Sequence, residues 1–288
     1  MITKSEQNQQ KSQVANEAES SEALLNAKIE IKNQHRILTE NLKYAAKIQR
    51  MLIPPESVFE EAFSDYSIFW KPRDILGGDI YWIKRFNGGT VLCVCDCVGH
   101  GTAGALLTMV VVSLLDAMVT PQNYRDTAQI LYELDKKFFE VFRFDNEDGK
   151  KNIEEGCTLA VLFIANNGTV KVSSGGIHVF VCNGRDAIRV SGQRIYVGEG
   201  KVKHKDDVNT VVIPSEPDNK FYIATDGLYE QIGDKSRLPF GYARMKELIL
   251  QHHNKRHSEI SEEIKNAFKE HKGNQPQRDD LQLITFNM

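Results

Sequence analysis

A pair of prolines at Pro54 and Pro55 divides this chain of 288 residues into two unlike parts. The stretch from about Ser21 to Ile53 contains neither glycine nor proline, whereas short apolar runs and turn signals follow it. Proline lacks the N–H group that continues an α-helix and clashes with the preceding turn, so a helix that reaches Ile53 ends there. The sequence therefore predicts a long N-terminal helix followed by a folded domain over residues 54–288.

The predicted helix carries apolar residues at a strict seven-residue spacing. The five positions are Leu24, Ile31, Leu38, Ala45 and Leu52. Such a repeat is typical of a coiled-coil seam, so residues 21–53 are predicted to pair two chains into a homodimer. An amphipathic helix that packs on its own domain is the alternative. Residues 1–20 are polar, with almost nothing to bury, and are predicted to form a disordered tail.

Nine short runs in the second part have the apolar, β-branched character of strands. They are residues 66–70, 79–83, 90–96, 158–165, 169–174, 178–183, 209–214, 220–226 and 281–286. Turn signals such as Asn167-Gly168 separate some of them, as in hairpins, and four helical patterns interrupt the series. Many antiparallel strands with segregated helices predict an α+β sandwich rather than alternating βαβ units.

Charge, apolar runs and cysteine content exclude several classes of protein. Lys and Arg number 36 against 39 Asp and Glu, a formal charge of −3 without the basic excess of a nucleic-acid-binding protein. The longest apolar run, residues 106–115, is about half as long as the roughly 20 residues of a membrane-spanning helix. The five cysteines, at positions 93, 95, 97, 157 and 182, are expected to be reduced thiols that fill the core. We therefore expect a cytoplasmic protein without a membrane span.

Several predicted strands begin or end on an aspartate. Asp79 begins one strand, and Asp96 and Asp226 each end another. Asp279 and Asp280 directly precede the last strand. Carboxylates that strand ends bring into one mouth repel one another unless a cation lies between them, and hard divalent ions accept oxygen ligands. Taken singly, each aspartate is more typical of a turn or of solvated surface, so the pattern alone leaves the question open.

Five motifs, in this order and at this spacing, resemble one known family. They are AAKIQRMLIPP (45–55), GGDIY (77–81), DCVGHGTAGALLTM (96–109), ATDGLYE (224–230) and RDDLQLITF (278–286). Over roughly residues 45–288 the chain resembles the SpoIIE/RsbU-type serine/threonine protein phosphatases, the bacterial branch of the metal-dependent PP2C-like (PPM) family. The resemblance implies an α-β-β-α sandwich of two antiparallel sheets flanked by helices, which agrees with the strand pattern.

The resemblance also implies a centre of two Mn²⁺ or Mg²⁺ ions. By motif position, Asp96 would bridge both ions, and the backbone carbonyl of Cys97 would complete the shell of one. Asp226 and Asp279 would hold the other ion, and Asp79 would be a direct ligand or act through metal-bound water. A hydroxide held between the metals would attack phosphorus in line with the serine or threonine oxygen, so no cysteine nucleophile is needed.

Other residues near these motifs have open roles. Asp280 is the less favoured ligand of the adjacent aspartate pair. Arg73 could contact the substrate phosphate, because an arginine fork matches phosphate geometry, or could pair with Asp74 or face solvent. His100 is a general acid only by loose analogy, and a role in holding its loop is favoured. Many family members have threonine where Gln282 stands.

The leading hypothesis is a metal-dependent phosphatase that acts on phosphoserine or phosphothreonine of a partner protein in bacterial signalling. The resemblance suggests a small STAS-domain (anti-sigma-antagonist-like) phosphoprotein as substrate, and control through the helix that enters the domain. The alternative is a catalytically silent dimeric scaffold that binds a signalling partner, although the complete set of aspartates argues against silence. A nucleotide hydrolase is weaker, because no phosphate-loop motif is present.

Overall fold

A computed structural model of the chain describes residues 4–142, 155–190 and 192–288, with side chains from residue 21 onwards. The chain divides into an N-terminal unit that ends at Lys47 and a second unit, Ile48–Met288, which contains both sheets.

A single helix, α1 (Lys4–Leu52), precedes the proline pair. It begins at Lys4, so the structure differs from the disordered tail predicted over residues 1–20. The physical reason is that nothing before Pro54 interrupts a helix, and once the apolar segment nucleates one, each added residue extends it at low cost. Three residues of the predicted seam, Leu24, Ile31 and Leu38, are 58%, 65% and 57% exposed.

Ten strands in the described residues form two five-stranded sheets. They are β1 (Asp65–Lys71), β2 (Asp79–Phe86), β3 (Gly89–Cys97), β4 (Cys157–Ala165), β5 (Val170–Gly175), β6 (His178–Cys182), β7 (Ala187–Val190), β8 (Val211–Ile213), β9 (Lys220–Ala224) and β10 (Leu281–Asn287). Sheet A has the order β1-β10-β9-β6-β7, and sheet B has the order β2-β3-β4-β5-β8. All these pairings are antiparallel.

Six further helices accompany the sheets in the described residues. They are α2 (Ser57–Ala62), α3 (Gly101–Met118), α4 (Thr127–Phe142), α5 (Asp226–Glu230), α6 (Tyr242–Gln251) and α7 (His257–Lys272), and the same residues contain one 3₁₀ turn at Lys205–Asp207. Helix α2 packs into the layer between the sheets through Phe59. Helices α3 and α4 pack on sheet B, and α6 and α7 pack on sheet A. The predicted α+β sandwich of two antiparallel sheets flanked by helices and preceded by a long helix is confirmed.

Side-chain alternation along the strands builds three apolar layers. On β9, Phe221 and Ile223 point between the sheets, whereas Tyr222 and Ala224 face α6 and α7. On β3, the cysteines face α3 and α4, as their two-residue spacing predicted. All five cysteines are buried free thiols, in agreement with the expected core-filling role. Both faces of each sheet are therefore covered.

Helix α3 is apolar enough, by length and composition, to cross a membrane, and it is the one described helix of which this holds. Its residues Leu107, Val111 and Leu115 are buried among side chains of α4 and sheet B. These are the contacts of a core helix, as predicted for the run at residues 106–115.

Candidate metal centre

Two aspartates lie opposite each other at one end of sheet B. Asp79 is the first residue of β2, and the register of the β2–β3 ladder pairs it with Asp96 near the end of β3. The N–H of Cys97 donates to the carbonyl of Gly78 at 3.0 Å and extends the ladder past this pair. Regular strand pairing therefore holds both carboxylates on neighbouring backbones.

The close approach of backbone at this end requires glycine. A Cβ added to Gly78 would lie 2.7 Å from the carbonyl oxygen of Cys97 and 2.6 Å from that of Gly99. No side chain fits at such distances, so Gly78 lets the segment before β2 pack directly against the end of β3 and the loop that follows. The carbonyl of Cys97 consequently lies beside the residue that precedes Asp79.

Sheet A contributes two further aspartates. Asp226 begins α5 and is separated from β9 by one residue, and Asp279 shortly precedes β10, which pairs with β9. Asp226 and Asp279 both act electrostatically on Asp79 and on Asp96, and Asp279 also acts on Asp226. The structure thus brings together four predicted ligands, Asp79, Asp96, Asp226 and Asp279, which we call the aspartate cluster.

Exposure rises across the aspartate cluster. Asp79 is 1% exposed, Asp96 and Asp279 are partly buried, and Asp226 is open to solvent. The cluster therefore lines a mouth whose sheet B side is deep and whose sheet A side faces outward.

Burial and mutual repulsion perturb the cluster. Burial raises the pKa of Asp79 and of Asp96 well above their usual range, and neighbouring carboxylates raise both pKa values further. The pKa of Asp226 is raised to about 6, first because neighbouring atoms partly shield its carboxylate from water and then because of the negative charges of Glu230 and Asp279. The strongest charged influences on Asp79 and Asp96 are other carboxylates, an arrangement that a divalent cation would stabilise. An all-oxygen donor set suits Mg²⁺ or Mn²⁺, so these residues fit the implied ions.

Thr225 links the two halves of the aspartate cluster. Its hydroxyl donates to a carboxylate oxygen of Asp79 at 2.6 Å and accepts the N–H of Gln282 at 3.1 Å. All three residues are buried. The indole N–H of Trp70 also donates to the carbonyl of Asp79 at 2.9 Å. Sequence analysis missed Thr225, and the only signal available was its place directly before Asp226.

Asp280 is engaged with backbone. One carboxylate oxygen accepts the N–H of Arg73 at 2.6 Å, and the other accepts the N–H of Gly78 at 2.5 Å. Its side chain is buried, and this burial raises its pKa. Both carboxylate oxygens of Asp280 therefore hold the segment that leads into β2, whereas Asp279 belongs to the aspartate cluster.

The rim of the site carries Arg73 and His100. The Nε of Arg73 lies 3.5 Å from a carboxylate oxygen of Asp74, and its Nη1 donates to the carbonyl of Arg278 at 3.1 Å. The Nδ1 of His100 lies 3.0 Å from the same oxygen of Asp74. Arg73 therefore adopts the pairing with Asp74 that the sequence left open, and His100 holds its loop to the segment before β2.

A buried glutamine near the end of α1 supports the segment before β2. The side-chain amide of Gln49 donates to the carbonyl of Gly77 at 2.6 Å and to the hydroxyl of Thr108 at 3.1 Å. The N–H of Gly77 donates back to the Gln49 carbonyl oxygen at 3.4 Å. Gln49 thus joins the last turn of α1, the glycine pair and helix α3, a role that sequence analysis did not identify.

Comparisons with known proteins identify the family and the fold. The family model for Stage II sporulation protein E (SpoIIE) matches residues 87–288. The SiaA-PP2C domain of Pseudomonas aeruginosa superposes with a TM-score of 0.79 at 26% identity, over 88% of this chain and 98% of that chain. No curated protein matches the chain significantly.

Two more distant structures share the fold. RsbX in complex with magnesium has a TM-score of 0.53 at 17% identity, over 77% of this chain and 92% of that chain. The RsbU and RsbW domains of a Mycobacterium tuberculosis protein give 0.59 at 16% identity, over 78% of this chain and 60% of that chain. At these identities the likeness concerns the fold alone.

Proposed function

Because the chain belongs to the SpoIIE family of PP2C-like phosphatases, we propose that the aspartate cluster is the metal centre at which it dephosphorylates a partner protein. Its family and its likeness to the SiaA-PP2C domain make it a serine/threonine phosphatase. The observation that carries the site is the convergence of four aspartates from the ends of both sheets. Their mutual repulsion needs a cation to offset it.

The aspartate cluster and the backbone carbonyl of Cys97 would hold two Mn²⁺ or Mg²⁺ ions. Bound there, the ions supply Lewis acidity that activates water and offsets charge on the phosphoryl oxygens. The protein's own part is to fix the ligands. The hydroxyl of Thr225 orients Asp79, and Asp280 anchors the N–H of Gly78, so the deep side of the site is organised before substrate arrives.

The outward side of the site is where a phosphorylated residue would enter. Asp226 is open to solvent there, and the guanidinium of Arg73 lies on the rim, with a side chain that is about a third exposed. We propose that Arg73 contacts the substrate phosphate after exchanging Asp74 for it, since an arginine fork matches phosphate geometry.

The proposed substrate is a STAS-like regulatory phosphoprotein in bacterial signalling, encountered in the cytoplasm. A structural neighbour that contains RsbU and RsbW domains together supports a regulatory partner. The test mixes the protein with STAS phosphoproteins of the same organism and measures released phosphate with and without Mn²⁺. Release that requires Mn²⁺ and is lost in Asp226→Asn supports the proposal, and release that ignores both contradicts it. Binding of the phosphoprotein without release would favour the scaffold alternative.

Helix α1 is proposed to pair two chains and to set the order of the metal site. The exposed seam residues Leu24, Ile31 and Leu38 support pairing, because apolar side chains at this spacing gain by burial against a second helix. The buried contacts of Gln49 offer a route from the end of α1 to the loop before Asp79.

The pairing is tested on the seam itself with Ile31→Asp and Leu38→Asp combined. We expect a monomer in sedimentation analysis and altered turnover in the same preparation. A matched control replaces Lys32 and Lys43, which lie off the seam, by aspartate. A double seam variant that stays dimeric with unchanged turnover contradicts the proposal.

A further inference from the structure

Three cysteine thiols meet beside the metal centre. The sulfur atoms of Cys95, Cys97 and Cys157 all lie within 4.8 Å of one another, and those of Cys95 and Cys97 are 3.8 Å apart. All three side chains are buried in the layer between sheet B and helices α3 and α4. The proposed phosphatase chemistry uses none of these thiols, so their grouping needs a separate account.

Strand register singles out one pair among the three. Cys97 and Cys157 are directly opposite in the β3–β4 ladder. The next pair along carries the ladder hydrogen bond, from the N–H of Val98 to the carbonyl of Gly156 at 2.9 Å. The N–H groups of Cys97 and Cys157 point away from each other, to Gly78 and Val197. Cys97 and Cys157 therefore form a non-hydrogen-bonded pair, the closer of the two kinds of cross-strand pair.

Distances decide which thiols can join. In a non-hydrogen-bonded pair the Cα atoms are about 4.5 Å apart, inside the range of about 4.4–6.8 Å that disulfides require. Cys95 and Cys97 stand two residues apart on one strand, with about 6.7 Å between their Cα atoms, at the upper limit of that range. Their side chains are parallel, so their Cβ atoms stay about as far apart, well beyond the roughly 3.5–4.5 Å of a disulfide. Cys95 and Cys157 are diagonal neighbours, about 7 Å apart. Of the three pairs, Cys97 and Cys157 have the geometry of a disulfide.

Electrostatics favours a disulfide over a thiolate metal site. Three thiolates around one soft cation would leave net negative charge in an apolar layer that adjoins the aspartate cluster, and burying such charge is costly. A disulfide is neutral and fills the same space. We propose that Cys97 and Cys157 form a reversible cross-strand disulfide under peroxide, and that this bond weakens the adjacent metal centre.

The bond forms in two balanced steps. The sulfur of one cysteine attacks an oxygen of hydrogen peroxide, the O–O bond breaks, and a sulfenic acid and one water result. The second thiol then attacks the sulfenic sulfur, the S–O bond breaks, and a second water leaves. Two electrons pass from the sulfurs to peroxide, and both thiol protons end in water. Dithiothreitol reverses the reaction by thiol–disulfide exchange.

The position of Cys97 and Cys157 near one end of the β3–β4 ladder allows peroxide to reach their buried thiols. Cys97 is the last residue of β3 and Cys157 is the first residue of β4. Beyond this pair the ladder has the Val98–Gly156 hydrogen bond, so fraying from this end breaks that bond and reaches Cys97 and Cys157 before it reaches Cys95. Slow oxidation in the closed state and faster oxidation on opening are both expected.

The consequence for the metal centre, which rests on the proposed function, follows from packing. Cys97 follows Asp96, and its N–H and carbonyl pack against Gly78, the residue before Asp79. A disulfide draws the two Cβ atoms to about 3.8 Å, closer than in the free pair, and so displaces the Cys97 backbone. We expect about tenfold weaker Mn²⁺ affinity in the oxidised protein, as for other changes just behind a ligand shell.

The test starts with wild-type protein treated with hydrogen peroxide, alkylated and digested without reduction. We expect a peptide pair linked through Cys97 and Cys157 that disappears in Cys157→Ala and after dithiothreitol. The matched control is Cys93→Ala, because Cys93 is equally buried on the same face of β3 but faces Val161 across the ladder. This control should keep the linked pair. Five thiols that all remain open to alkylation, or a different linked pair, overturns the proposal.

Mn²⁺ affinity of the reduced and oxidised proteins, measured by calorimetry, provides a readout that needs no phosphatase substrate. Weaker binding that dithiothreitol restores supports the coupling, and a linked protein that binds Mn²⁺ unchanged overturns it. If reduced protein has no phosphatase turnover, the proposed function fails, whereas the linked peptides and the Mn²⁺ titration still decide the disulfide.

Discussion

The two sheets hold their halves of the aspartate cluster in different ways. On sheet B, Asp79 and Asp96 are paired by regular ladder register, and the layer behind them is apolar. On sheet A, Asp226 begins a five-residue helix and Asp279 lies in the segment before β10. The difference indicates a preorganised deep half and a more adjustable outer half. Under the proposed function, the deep half would hold the metal ions and the outer half would meet the phosphorylated residue of the substrate.

In the described residues, the layer behind sheet A also contains more buried polar atoms without a hydrogen-bond partner than the layer behind sheet B. Buried polar atoms of Tyr222, His257, Ser261 and Thr285 have no hydrogen-bond partner within the described part of the chain. Unpaired buried polar groups cost free energy, so this layer is expected to loosen before the apolar layer behind sheet B.

The largest expected effect is a loss of turnover when one aspartate is removed from each half of the aspartate cluster in turn, and its size should differ between the two halves. Asp96→Asn should lower turnover at saturating Mn²⁺ by about a thousandfold, and Asp279→Asn by about a hundredfold, because the outer segment can readjust around a lost ligand. Thermal melting of metal-free protein is the control, since removing a repelling carboxylate should leave the Tm unchanged or higher. Equal losses in turnover would show that both halves are equally fixed.

The next largest effect is expected from removing the Thr225 hydroxyl, which connects the two halves of the aspartate cluster. Thr225→Val keeps the side-chain shape but removes the hydroxyl that bridges Asp79 and the N–H of Gln282. We expect about tenfold weaker Mn²⁺ binding by calorimetry, together with a loss of about 1–3 kcal/mol in stability from the unpaired buried groups. Thr225→Ser retains the hydroxyl and should restore both, whereas equal binding by the valine and serine variants would rule out the bridging role.

How far the sequence predicts this site depends on the range of each interaction. The aspartates could be placed at strand ends, because strand periodicity and turn residues are local signals. The role of Thr225 could not, since its hydroxyl meets Asp79 across 146 residues, where only the approach of the two sheets creates the contact. The amide of Gln49 likewise reaches Gly77 across 28 residues.

The fold shows the same limit. Helices α3 and α4 and the central strands carry long periodic patterns and were predicted. Strand β7 was missed, because it has four residues and its Ile188 and Arg189 are both exposed, which leaves no alternation to detect. The N-terminal helix extends back to Lys4, because the absence of glycine and proline before Pro54 favours helix more than the polar composition of residues 1–20 disfavours it.

A smaller effect concerns the layer behind sheet A and its pH dependence. Burial, with Lys220 nearby, lowers the pKa of His257 to about 4, and Asp65 opposes this shift. The neutral form is favoured in the fold, so its stabilisation is complete above the unfolded pKa of about 6.5 and is lost as pH falls towards 4. Between pH 7 and 5 we expect a loss of about 2 kcal/mol in unfolding free energy. His257→Gln should make the unfolding free energy, measured with urea, nearly independent of pH between 7 and 5. An unchanged pH dependence in this variant would show that His257 is not its cause.

The smallest effect lies on the rim between the two halves. Asp74 holds both Arg73 and His100 by partly exposed contacts, which are worth less than about 1 kcal/mol. Asp74→Asn should free Arg73 for the substrate phosphate, so KM for a phosphopeptide is expected to fall by about twofold with kcat unchanged. Adding Arg73→Ala to the same variant tests the cause, because the gain in KM should then disappear. A gain that survives the loss of Arg73 would assign it to His100 or to the altered loop, and the outer half would then select substrate through its backbone rather than through this arginine.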